Sequence, residues 1–339
     1  MNDPNQQVLA PRWLAHRFDE SKNEIRFVDY DRVTRSSVPF LTDDYLPALP
    51  FRSEPRARAK ALAPASAPIH FVFHSGFCCS TLFAQCFDQP GLASTFSEPM
   101  ILNDVVGWRK RGAAPAEIGR LLDDALSLLA RPFEGDCAAL IKPSTVANGL
   151  AAAMMRLRPD ARAIVMWAPL DDFLTSIAKK GLDGRLWARE LFMAMRKESL
   201  TQQLGFSDEQ FFGQTDLQIA AAAWLGQQKA FARLIETCPD RVRSLGSDSF
   251  LANPAEALTA ANVLFGLNIS QDQVELARQN VLTRNSKDGK PFSPGARRAE
   301  YRTAHKPSAY GDEIDKVRAW AQAVADATKV TTELSAKLI

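Results

Sequence analysis

No stretch of the 339-residue sequence approaches the roughly 18 consecutive apolar residues that a membrane-crossing helix needs. Charge of one sign is missing too. The 41 Lys and Arg against 39 Asp and Glu leave a net of +2, too small an imbalance to point to nucleic acid or an anionic membrane as partner. Cysteine is sparse and odd in number, five in all with two of them adjacent. That argues against a disulfide framework and for a reducing compartment, so a cytoplasmic location is expected. The opening residues, MNDPNQQVLAPRW, lack a basic segment followed by an apolar one, so no secretory signal is expected. No internal repeat stands out. What remains is an ordinary globular composition, 46% hydrophobic and 24% charged, long enough for one large or two modest domains.

The first 50 residues mix polar and aromatic side chains and read as strands or hairpins on the outside of something larger. Residues 52–68, RSEPRARAKALAPASAP, read as a linker, so that 1–60 form an N-terminal extension and 69–339 the main domain. From Ile69 onward short apolar runs alternate with helical patterns. IHFVF, CAALIK, ARAIVM and RVRSL read as strands; Thr81–Asp88, 115–130, 145–157, 170–180, 185–203, 216–237, 254–265, 271–281 and 313–328 read as helices. Buried strands alternating with amphipathic helices predict a three-layer α/β/α fold on a parallel sheet, with a helical C-terminal region.

The stretch with chemical content is residues 69–88, IHFVFHSGFCCSTLFAQCFD, a strand, a glycine-containing turn and a helix. Three readings are open. As a phosphate cradle, the turn aims backbone N–H groups and a helix end at one point, with Ser80 and Thr81 adding hydroxyls. The nucleotide-triphosphatase pattern G-x-x-x-x-G-K-[ST] is absent, because no lysine follows Gly76 at that spacing. As a nucleophile elbow, Cys78 stands where hydrolases place serine, with Asp248 and His305 downstream as orienter and base. As a metal site, His70 and His74 would lie about 13 Å apart along a strand, too far for one ion; no metal is expected. A plain strand–helix turn and a buried inert thiol remain the ordinary alternatives.

Three further segments narrow the choice. FCCSTL (77–82) after an apolar strand is similar to the [RK]-S-G-[ST]-T-L loop of sulfotransferases. RAIVMWAPLDDFLTS (162–176) resembles that family's R-N-P-x-D-x-x-x-S element, and LGSDSFLANPAEALTAANVLFGL (245–267) resembles its third segment, with Asp248, Pro254 and Phe265-Gly266-Leu267 in register. The resemblance covers 69–267 and implies a P-loop-like fold. It also implies transfer of a sulfuryl group from 3′-phosphoadenosine 5′-phosphosulfate, as co-substrate, to a hydroxyl or amine of a small molecule.

On that resemblance Ser75, Gly76, Phe77, Cys78, Cys79, Ser80 and Thr81 hold the donor's 5′ end, and Ser176 its 3′-phosphate. The chain departs from the pattern where the loop's cation falls on Phe77, its glycine on Cys79 and the second element's arginine on Ala168. Replacement cations are His74, Lys142 at a strand's carboxyl end, and Lys179-Lys180, which could equally be a solvated helix end. A further supply is TRNSKDGKPFSPGARRAEYRTAHK (283–306), with a local net of +5 and including Arg284, Arg297 and Arg298. It sits where the family has a loop that closes over the nucleotide, and otherwise reads as an exposed loop. Glu98 in STFSEPMIL is the candidate base, His74 the alternative proton carrier, and Lys142 the third catalytic candidate. Alternatives in the same fold are a nucleotide-dependent phosphotransferase or a non-catalytic nucleotide-binding protein. No nucleic acid or membrane partner is expected, and a homodimer is left open.

Overall fold

In the computed structural model, residues 10–62, 67–286, 289–297, 299 and 310–339 are described. Strand β4 (Ile69–His74) is buried at every position, as a central parallel strand must be. Its side chains alternate: Phe71 and Phe73 enter one apolar core, Val72 the other. It pairs in parallel with β6 (Ala138–Lys142) on one edge and β7 (Ala163–Trp167) on the other. Strands β5 (Ala93–Ser97) and β8 (Val242–Gly246) complete a five-stranded sheet of order β5-β6-β4-β7-β8.

Two helical layers cover this sheet. One core gathers α3 (Ser80–Cys86), α7 (Leu170–Lys179), α8 (Gly181–Lys197), α10 (Asp216–Thr237), α12 (Pro254–Phe265) and α14 (Gly311–Thr328). The other gathers α4 (Met100–Lys110), α5 (Pro115–Leu129) and α6 (Ala151–Leu157). The remaining helices are α1 (Arg32–Ser37), α2 (Arg56–Leu62), α9 (Asp208–Phe212), α11 (Ser247–Ala252) and α13 (Gln271–Asn280). The three-layer α/β/α architecture expected from the alternation is the one observed.

Local signals account for several boundaries. Thr215 and Gln218 close a reciprocal capping box ahead of α10. Pro254 opens α12, and Gly266 ends it in the left-handed conformation.

The region before Ile69 departs from a linker. Strands β1 (Trp13–Asp19), β2 (Glu24–Asp29) and β3 (Phe51–Pro55) form an antiparallel sheet whose apolar face joins the core under α4 and α5. Residues 56–62 are the helix α2, held because Arg56 Nε donates to Asp124 of α5 at 2.6 Å and Ala59 is fully buried. An Ala/Arg-rich composition cannot reveal such a partner 68 residues away. Helix α4 is likewise unannounced in the sequence pattern. Among the described residues no helix is long and apolar enough to cross a membrane.

Candidate functional site

Strand β4 ends at His74, and after five intervening residues α3 begins at Ser80. The turn between them is held from beneath. Ser75 N–H donates to Met166 O at 3.0 Å, and Ser75 Oγ accepts from Ala168 N–H at 3.2 Å. Two buried amides reach its carbonyls: Gln227 Nε2 donates to Ser75 O at 3.2 Å and Asn148 Nδ2 to His74 O at 3.0 Å. Asn148 also donates to Gln227 at 3.0 Å, and Trp224 Nε1 to Ala168 O at 2.8 Å. The carbonyls are thereby drawn down into the protein, away from the surface of the turn.

The turn's backbone is strained. Gly76, Phe77 and Cys79 have φ of 85°, 54° and 61°, and each non-glycine residue there costs on the order of 1–2 kcal/mol. Glycine is required at 76, since a Cβ would lie 3.0 Å from Trp187 Cη2. Phe77 compensates in part, its ring edge-on to Trp187 at 4.9 Å and to Phe173 at 5.8 Å.

Above the turn lies a cavity of about 350 Å³ into which the carboxyl ends of β4, β5 and β6 bring His74, Glu98 and Lys142. This is the edge of an open parallel sheet where ligands sit. Lys142 is fully buried, and its Nζ donates to Glu98 Oε1 at 2.6 Å. The same ammonium is 5.1 Å from the Phe40 ring centre. Pair and ring together offset the cost of removing an ammonium from water. Glu98 has φ 56° and donates its N–H to Lys142 O at 2.6 Å, so the two residues are bound through both backbone and side chain. His74 Nε2 lies 3.8 Å from the same Glu98 oxygen. Because His74 Nδ1 accepts from Gly76 N–H at 3.1 Å, the proton of the neutral ring sits on Nε2, facing Glu98.

Ser80 and Thr81 open α3 and line this cavity, 5% and 6% exposed. Cys78 and Cys79 line it as well. Burial pushes the Cys78 thiol up, with contacts to Ser80 opposing the rise, so this sulfur is held as a thiol and not as the thiolate a nucleophile requires. Asp248, offered as orienter, stands at the start of α11 beyond β8; His305 lies outside the described residues.

The other expected anion binders divide. Lys180 lines the cavity, 6.0 Å from the Phe77 ring centre, whereas its neighbour Lys179 does not. Ser176 is buried on α7 away from it. Arg284 lines a second cavity next door. Arg297 approaches Asp172. Arg298 lies outside the described residues, as do Lys287, Arg302 and Lys306.

The side toward β7 and β8 is acidic. Asp172 is pushed up to about 7, first by burial, then by Asp248 and Asp171, with Arg297 opposing. Asp171 accepts from Arg318 at 2.8 Å. Ala168, where the resemblance would have an arginine, is buried beneath the turn.

Several residues of this site carry no anion-binding signature and escape a reading of the sequence. Phe40, Thr145, Asp183, Trp187 and Ser286 line the cavity, and Asn148 and Gln227 support it from below. One signal is available: Gln227 follows an apolar run of α10 and is 1% exposed, and its amide meets Ser75 O and Asn148.

No family model and no curated protein matches this chain. Among solved structures it is similar to the sulfotransferase domain from the curacin biosynthetic pathway, with 11% identity and TM-score 0.44, over 80% of this chain and 100% of that one. It is also similar to the sulfotransferase domain from the Synechococcus PCC 7002 olefin synthase, at 14% identity and TM-score 0.44, over 78% and 97% of the two chains. A third, the sulfotransferase from Alicyclobacillus acidocaldarius, shares 14% identity at TM-score 0.34, over 62% of this chain and 90% of that one.

Proposed function

We propose that the chain transfers a sulfuryl group from 3′-phosphoadenosine 5′-phosphosulfate to a hydroxyl or amine of a small molecule. The observation that supports this most is the buried Lys142–Glu98 pair at 2.6 Å, facing a strained turn across one cavity. A sulfuryl transfer needs three things there: cationic and N–H donors on the phosphate that leaves, a base for the acceptor's proton, and exclusion of bulk water. Lys142 and the hydroxyls of Ser80 and Thr81 supply the first, with Lys180 at the rim. Glu98 supplies the second, with His74 Nε2–H next to it. The acceptor oxygen or nitrogen bonds to sulfur, the bridging sulfur–oxygen bond breaks toward the phosphate, and the proton passes to Glu98. Phe40, Phe77 and Trp187 supply the apolar walls.

The residues fit the 5′ end of the donor better than its 3′ end. Asp172 and Asp248 on the β7–β8 side favour a second reading, a phosphotransferase whose nucleotide lacks a 3′-phosphate. The direct test is chromatographic detection of adenosine 3′,5′-bisphosphate released from the phosphosulfate donor in the presence of pooled hydroxyl and amine acceptors. Release that is lost in Glu98→Gln at unchanged folding supports the proposal. Release of ADP from ATP by the wild type, with none from the phosphosulfate donor, would establish the second reading in its place.

A further inference from the structure

The second cavity, about 560 Å³, opens beside the first, and the two share Phe40 and Ser286. It lies under the outer strand β5 and the end of α3, and among the described residues it is roofed by 35–41, 280–286 and Gly289. The roof's position is fixed: Leu41 N–H donates to Ser97 O at 2.8 Å, and Arg35 forms a buried ion pair with Asp88 just beyond α3. Residues ahead of the main sheet thus form a wall of the active cleft.

Topology decides which reactant this cavity takes. The turn after β4 has β7 and β8 on one hand and β6 and β5 on the other. If the donor runs from the turn toward β7, the acceptor must enter from the β5 side. There Ser97 lines the larger cavity and the next residue, Glu98, lines the smaller one.

The wall's chemistry narrows the acceptor. Thr95 and Ser97 are 6% and 8% exposed, and both face the cavity. Among the described residues neither hydroxyl, nor the amide of Gln85, has a hydrogen-bond partner in the protein. Of the charged residues that line it, the buried Arg35 is neutralised by Asp88, which also accepts from Thr95 N–H at 3.0 Å, and Arg284 stands exposed at the rim. A flat apolar acceptor would strand these hydroxyls and the amide without partners, and such stranding is what polar sites reject most strongly. We infer that the acceptor is a polyhydroxylated, sugar-sized molecule, selected by Gln85, Thr95 and Ser97 and bounded by residues 35–41.

This rests on the transferase reading above, and it adds which acceptor is chosen and where. One hydroxyl of the sugar is presented past Phe40 to Glu98, which takes its proton as the oxygen bonds to sulfur and the phosphate oxygen leaves. Neighbouring hydroxyls engage the wall.

Saturation-transfer NMR on the full chain tests this with two probes, cellobiose and 4-nitrophenol, on the wild type, Gln85→Leu and Asn280→Leu. Asn280 lines the same cavity from the end of α13, on its exposed roof, and can meet a hydroxyl there, so its variant keeps the test usable if the first fails to fold. Cellobiose should give a signal on the wild type that falls about tenfold in the variants, the loss of one or two hydrogen bonds. A preference for 4-nitrophenol, or a cellobiose signal absent or unchanged by the variants, overturns the inference. Titration of adenosine 3′,5′-bisphosphate in parallel keeps the two claims apart. Loss of that binding alone sinks the donor, whereas sugar binding reports on the wall.

Discussion

Asp172→Asn tests the electrostatics of the β7–β8 side with a sign and a size. In the folded chain Asp172 is pushed up to about 7 by burial, Asp248 and Asp171, against Arg297; unfolded, a free Asp titrates near 3.9. Between those values the native state holds a proton that the unfolded state has released, so wild-type stability falls as pH rises from about 4 to about 7 and is level above that. Three pH units correspond to a ceiling of about 4 kcal/mol. Asp172 is only partly buried, so solvent screening brings this to about 2 kcal/mol. The amide removes this titration without changing the side chain's shape. The variant should match the wild type at pH 4 and exceed it at pH 8 by about 2 kcal/mol, or about 3 °C in Tm for a chain of this size. Calorimetry across that range reads the difference. The same change removes a negative charge from where the donor's 3′-phosphate would lie, so affinity for adenosine 3′,5′-bisphosphate at pH 8 should rise about threefold to tenfold. A stability gap that is constant with pH, or a variant less stable at pH 8, refutes the account of this side.

The other predictions concern the turn and the base of the sheet. Thr81→Ala should weaken nucleotide binding about tenfold while Thr81→Ser does little, because the hydroxyl bonds an anion; a loss of about 1 kcal/mol in stability with unchanged affinity would mean a helix cap only. Cys78→Ala should keep most turnover at a modest cost in stability; a folded but inactive variant, together with an acyl group trapped on the wild type, would establish a thiol nucleophile. Gly76→Ala should lower stability by about 2 kcal/mol or more, from its φ of 85° and the 3.0 Å approach to Trp187; Trp187→Leu in the same chain should recover only the part due to contact. His70 is pushed down to about 4 by burial, with Arg162 adding to it. Its unfolded value near 6.5 therefore makes stability fall as pH drops from about 6.5 to about 4, and His70→Phe should flatten that part of the calorimetric profile.

Much of the scaffold was legible because it depends on local pattern. The short, largely apolar run IHFVF ahead of the turn reads as a buried strand, and the rule that ligands meet the carboxyl ends of parallel strands points to Glu98 and Lys142. What was not legible depends on distance in sequence. Phe40 reaches Lys142 across a hundred residues, and Arg56 turns an apparent linker into a helix only because Asp124 is there to meet it. Nothing in Lys179-Lys180 tells which one a helix end will aim at the cavity; that is settled by where α7 stops and α8 begins. Trp187, on the face of α8 that closes over Gly76, looks like any core aromatic until the glycine's missing Cβ is placed against it. The acidity of the β7–β8 side was hidden differently: Asp171 and Asp172 are ordinary first-turn acids on α7, and only the arrival of Asp248 from α11 crowds them.

The central claim is that the turn at 74–81 and the Lys142–Glu98 pair hold the 5′ end of a phosphoadenosine donor. Isothermal titration of the purified chain with adenosine 3′,5′-bisphosphate, ATP and ADP, repeated on Lys142→Met, tests it most directly. The account predicts tightest binding of the bisphosphate and a loss of about tenfold or more in the variant, the worth of a charge-assisted contact. Binding of ATP tenfold tighter than the bisphosphate, or equal affinities in the two proteins, would contradict it.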